Sequence, residues 1–108
     1  MRVLVCGGRD FDDLDHLMKH LNFYTRQGDT IITGDACGAD WLARSWAKYS
    51  KRKYKSYTAD WKILGKSARN KKVLEETDPD LVVAFSGGAG TKNMVNLAKL
   101  AGVKVVEV

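Results

Sequence analysis

The chain has 108 residues, 44% of them hydrophobic. That is enough for one domain with one modest core, and too apolar for a disordered chain. The formal net charge of +5 favours anionic partners: a phosphate, a nucleotide or nucleic acid. No apolar run approaches the roughly 18 to 20 residues that cross a bilayer.

The opening stretch, MRVLVCGGRD, reads as a first strand rather than a secretory signal. Cys6 and Cys37 have no CxxC or other metal spacing, so a reduced, cytoplasmic chain with packed thiols is expected. Val3 to Cys6 forms the strand and Gly7-Gly8 closes it. Asp12 or Asp13 caps a helix carrying Leu14, Leu17, Met18 and Leu21 at helical spacing, with Gly28 as its stop. Thr30 to Thr33 is a second strand, ended by Gly34. After Gly38 a second helix puts Ala39, Leu42, Ala43, Trp46 and Ala47 on one face. Lys53 to Tyr57 alternates weakly, as an edge strand does.

TADWKILG reads as an irregular connection, and Lys66 to Glu76 as a basic third helix stopped by Asp78-Pro79. Leu81 to Phe85 is a strongly apolar fourth strand. Thr91 to Ala101 is a fourth helix with Met94, Leu97, Ala98 and Ala101 inward, and Val103 to Val106 is the last strand. Strands separated by helices require crossover connections. The expectation is a single α/β, Rossmann-like, three-layer domain over residues 1–108, with a five-stranded, mainly parallel sheet and helices on both faces.

Ligands of open parallel sheets bind beyond the carboxyl ends of the strands, where the strand order reverses. In the order 3-2-1-4-5, strands 1 and 4 meet there, and both end in glycine: CGGRD and FSGGAGT. Two such loops beside a helix start can cradle a phosphate. GGRDFDD is not GxGxxG and GGAGTK is not a P-loop. GxSxG and HExxH are both absent. His16 and His20 have the i,i+4 spacing of a metal pair but lie off the apolar stripe, which reads as a solvated pair. No metal and no cofactor are expected.

Four pieces, VLVCGGRDF, ITGDACGADWLARSWA, ADWKILGKSARNKK and VVAFSGGAGTKNMVNLAKLAGVKV, carry a resemblance. The chain resembles the YspA/YpsA-like (DUF2493-type) branch of the SLOG superfamily nearly end to end. That resemblance implies a Rossmann-like fold, a nucleotide or nucleotide-derived ligand (ADP-ribose, NAD-related or a nucleoside phosphate) held for sensing or sequestration, and a homo-oligomer. The superfamily also includes the LOG-type nucleoside 5′-monophosphate phosphoribohydrolases and the DNA-binding DprA proteins.

Against the LOG motif PGGxGTxxE, this chain keeps Gly87, Gly88, Gly90 and Thr91, has Ser86 for the proline, and has Met94 for the glutamate. The arginine-lysine pair of those enzymes looks like Arg69-Asn70 here. Cleaving an N-glycosidic bond benefits from a carboxylate near the anomeric carbon or activating a water. Methionine supplies neither, so hydrolysis is disfavoured. Asp35 and Asp40, in the matching GDACGAD, are the candidate substitutes.

The expected ligand-binding set is Gly7, Gly8, Arg9, Asp10, Gly34, Asp35, Asp40, Trp61, Arg69, Asn70, Ser86, Gly87, Gly88, Gly90 and Thr91. Several members have two readings. Asp10 either touches a ribose hydroxyl or is structural. Asp60 caps the stretch at Trp61, and Trp61 either stacks on a base or plugs the core. Arg69 either forks onto a phosphate or makes a surface ion pair. The run Lys51-Arg52-Lys53-Tyr54-Lys55 is either a solvated face or a track for a nucleic-acid backbone. Lys66, Arg69, Lys71 and Lys72 form a second basic group.

Overall fold

The computed structural model describes residues 1–34, 38–57 and 61–108, and of residues 61–67 the backbone only. The order of elements is β1 (Arg2–Cys6), α1 (Leu14–Tyr24), β2 (Thr30–Thr33), α2 (Ala39–Tyr49), β3 (Lys53–Ser56), α3 (Trp61–Thr77), β4 (Leu81–Ala84), α4 (Ala89–Leu100) and β5 (Lys104–Glu107). The five strands pair in the order β3-β2-β1-β4-β5, and every pairing is parallel.

Alternation along the strands divides the core between the two faces of the sheet. Val3, Val5, Ile31, Leu81 and Val83 pack with Leu17 and Leu21 of α1 and with Ala43, Trp46 and Ala47 of α2. Leu4, Ile32 and Val82 pack with Val73 and Leu74 of α3 and with Met94 and Ala98 of α4. The chain therefore winds outward from β1 on one face, crosses over through α3, and winds outward from β4 on the other. This is the three-layer α/β arrangement expected from the sequence, with the reversal between β1 and β4.

Some details differ from the sequence pattern. The third helix starts at Trp61 rather than Lys66, so most of the supposed irregular connection is helical. Gly65 costs about 1 kcal/mol relative to alanine in a helix interior, too little to interrupt a helix of 17 residues. Helix α1 stops at Tyr24, well before Gly28, and the Thr25 hydroxyl donates to the Leu21 carbonyl at 2.6 Å. Its apolar stripe is narrower than the spacing suggests: Leu17 and Leu21 are buried, whereas Leu14 and Met18 are exposed. Asp13, not Asp12, is the cap, accepting from His16 N at 3.0 Å. Helix α4 begins at Ala89, two residues before Thr91, which takes Gly90 out of the loop and into the first turn. Ala101 at its other end is exposed rather than inward.

Leu4 is 2% exposed at the centre of the sheet, and Leu100 is 85% exposed on α4. Leu4→Ala is expected to lower the urea unfolding free energy by about 2–5 kcal/mol. Leu100→Ala is expected to change it by no more than about 0.5 kcal/mol.

Candidate functional site

A cleft of about 280 Å³ opens at the carboxyl ends of β1 and β4. The β1 loop supplies Gly7, Gly8, Arg9 and Asp10 to its lining. Helix α2 supplies Asp40, α3 supplies Arg69 and Asn70, and the start of α4 supplies Gly88, Gly90 and Thr91. Ser86 and Gly87 border an adjoining hollow, which shares Gly8, Arg9 and Asp10 with the cleft. Asp35, Asp60 and Cys37 lie outside the described residues, as does the side chain of Trp61.

Backbone packing fixes the floor. Gly8 N donates to the Ser86 carbonyl at 2.9 Å, and Ala39 N donates to the Gly8 carbonyl at 3.3 Å. The second contact requires Gly38 at φ 73°, where a side chain would run into the Gly8 and Arg9 carbonyls. A Cβ at Gly8 would stand 3.0 Å from both Gly87 Cα and the Ser86 oxygen, and one at Gly7 would stand 2.5 Å from Ala39 Cβ. These glycines make room for other parts of the protein. Gly88 differs, because a Cβ there would meet nothing within 4 Å. It is the N-cap of α4 and makes no side-chain capping bond. The first-turn N–H groups that follow have no acceptor within the helix.

Asn70 organises the opposite wall. It is 2% exposed, and its amide is used on both sides. Arg69 Nη1 donates to its Oδ1 at 2.9 Å. Its Nδ2 donates to the Gly90 carbonyl and to Asn93 Oδ1, each at 3.0 Å. One side chain thus joins the Arg69 guanidinium to the first turn of α4. Arg69 itself is buried, as is Asp40. Both lie over Gly34: a Cβ there would collide with Arg69 Nη2 and come within 2.7 Å of Asp40 Oδ2. A cation and a carboxylate therefore sit together above the end of β2. Of the second basic group, Lys71 and Lys72 are exposed, and Lys72 reaches Glu76 only at 3.9 Å.

Met94 is buried among the residues under α4 and also reaches the cleft floor, as core packing requires. Three residues escaped the sequence reading. Cys6 and Ala89 line the cleft, and Asn93 holds Asn70. Nothing in their spacing marks them; the fold brings them there. Burial pushes the Cys6 thiol up to about 12, helped by the nearby charges of Asp40 and Glu107 and opposed by Arg69. The histidine pair lies elsewhere, on α1, with ring centroids 4.4 Å apart. His20 is held below its ordinary range by desolvation and by the neighbouring His16 and Lys19. Among the described residues there is no cluster of three metal-ligating side chains, and no helix is long and apolar enough to cross a membrane.

Asn70→Ala removes the acceptor that Asn70 offers the buried Arg69 Nη1 and the tie to the first turn of α4, so it is expected to cost about 1–3 kcal/mol in urea unfolding. The raised thiol value has its own signature. Because the folded state holds the Cys6 proton more tightly than the unfolded chain, whose thiol titrates near 9.0, the resulting stability is present below that pH. It is lost as pH rises from there through about 12. The melting temperature of the native protein relative to Cys6→Ala is expected to fall between neutral and strongly alkaline buffer. Cys6 in the folded protein is also expected to resist iodoacetamide at neutral pH.

The model of one protein family, the YspA, cpYpsA-related SLOG family, matches residues 1–63, which run from β1 to the start of α3 and carry the Gly7-Gly8 loop and Asp40. No curated protein matches the chain. With more than half of its length matched, and with the end of β1, its loop and the start of α2 lining the switch-point cleft, the chain belongs to the YspA, cpYpsA-related SLOG family.

Proposed function

We propose that the cleft binds a nucleotide or nucleotide-derived ligand, of the ADP-ribose or nucleoside phosphate class, for sensing or sequestration. The observation that carries this reading is the pairing of two anion-seeking groups on one cleft. One is the Arg69 guanidinium, buried and held through Asn70. The other is the first turn of α4, entered through the open Gly88. A guanidinium forks onto phosphate oxygens, and helix-start N–H groups with the helix dipole favour the same charge. Asp40 and the exposed Asp10 provide acceptors for ribose hydroxyls on the same cleft. Family membership agrees with a nucleotide-related role.

A second reading rests on Asp40, a buried carboxylate on the cleft wall. Placed near an anomeric carbon, it would support N-glycosidic hydrolysis in place of the glutamate whose position Met94 occupies. Sequestration leaves the ligand whole, whereas hydrolysis releases the base.

Titration calorimetry with AMP, ADP and ADP-ribose, followed by chromatography of the mixtures, separates the two. The binding reading predicts saturable heats, a loss of about tenfold or more in affinity on Arg69→Ala, as for a charge-assisted hydrogen bond, and intact ligand afterwards. Free adenine, abolished by Asp40→Asn, would replace it with the hydrolase. No heat from any of the three at millimolar ligand would contradict both.

A further inference from the structure

A second surface lies apart from the cleft, at the β3 edge of the sheet. Between α2 and β3 runs an open groove of about 460 Å³, lined by Trp41, Arg44, Ser45, Lys48, Tyr54 and Ser56. It shares no lining residue with the cleft. Trp41 is 54% exposed and Tyr54 42%, and neither belongs to the two core clusters. Arg44 and Lys48 stand one helical turn apart on α2, so they project along the same side. Among the described residues neither is in an ion pair.

Among the described residues that line the groove, the charged ones, Arg44 and Lys48, have one sign. Lys51 is exposed in the turn before β3, whereas Lys53 and Lys55, also exposed, alternate to the face of β3 opposite Tyr54 and the groove. From Ala39 to Ser56 the sole carboxylate is Asp40, and it is buried in the cleft. Arg52 is committed inward: its Nη1 donates to Thr25 Oγ1 at 3.1 Å, and its guanidinium lies 5.1 Å from the Trp46 ring centre. Lysines on an edge strand commonly serve to prevent strand pairing, which accounts for Lys53 and Lys55. It does not account for a half-exposed tryptophan on the neighbouring helix, or for Arg44 and Lys48 alongside it.

We infer that this groove binds single-stranded nucleic acid, with phosphates along Arg44 and Lys48 and bases against Trp41 and Tyr54. Exposed aromatic faces interleaved with cations are what a single strand requires: stacking that tolerates any base, and a positive track for the backbone. An acidic peptide would be drawn by the cations but would leave the aromatic faces without a partner.

Fluorescence anisotropy of a labelled oligothymidylate is the test. Binding is expected to weaken with salt, and Arg44→Ala and Lys48→Ala are each expected to reduce the log–log salt slope by about 0.7. Trp41→Ala is expected to weaken binding about tenfold, the scale of a lost base–aromatic stack. Tyr54→Ala provides a second variant should the first disturb folding, and Leu100→Ala, on an exposed position of α4, is expected to leave binding unchanged. No salt-dependent binding, or binding that both aromatic substitutions leave intact, would overturn the inference. So would loss of binding on Arg69→Ala with Trp41→Ala without effect, which would put the strand in the cleft.

Discussion

The hydrogen bond from Gly8 N to the Ser86 carbonyl, 2.9 Å long, extends the pairing of β1 and β4 past the end of the sheet. It holds together the two loops that leave the central strands in opposite directions. Gly38, in its positive-φ conformation, brings the start of α2 onto the same Gly8 through Ala39 N. Three chain segments thus meet through their backbones, with no side chains between them. That close approach leaves the cleft to one side, and it determines where Asp40, Asn70 and the first turn of α4 stand relative to one another.

The fold was largely legible because its signals are redundant. Apolar runs at Val3–Cys6 and Leu81–Phe85, each ended by glycine, mark central strands, and the alternation with helices leaves few topologies open. The boundaries that slipped have local causes. Gly65 reads as a breaker, yet α3 runs through it, since one glycine costs less than the packing of a long helix returns. Leu14 and Met18 match the helical period of α1 but fall on its outer side. Periodicity of this kind has no way to distinguish the edge of an apolar stripe from its centre.

The candidate site was legible in kind and less so in detail. A glycine in sequence states that a side chain is absent, not what takes the space. At Gly7, Gly8 and Gly87 protein atoms take it, whereas Gly88 faces open space. Arg69 was marked by its place in GKSARN, but it is tied to α4 through Asn70, whose amide reaches 20 residues along the chain to Gly90. A bond of that range leaves no periodic trace. The same amide adds a polar tie to the apolar packing of Val73 and Leu74 against Met94 and Ala98; a buried amide is tolerated when its own donors and acceptor are used.

The cleft and the α2–β3 edge divide the anion-seeking groups by depth. In the cleft, one buried arginine sits beside a buried carboxylate, an environment of low dielectric in which a single phosphate contact is strong and geometrically selective. On the α2–β3 edge, the cations are exposed, so their interactions are screened and additive. A small ligand suits the first and a longer polyanion the second. The central claim concerns the cleft, and amide chemical-shift mapping tests it most directly. In a spectrum of the ¹⁵N-labelled protein titrated with ADP-ribose, the largest saturable shifts are expected at Gly8, Gly88, Ala89, Gly90 and Thr91, with the side-chain amide of Asn70 moving alongside. Shifts confined to α2 and β3, or no saturable shift at millimolar ligand, would contradict it.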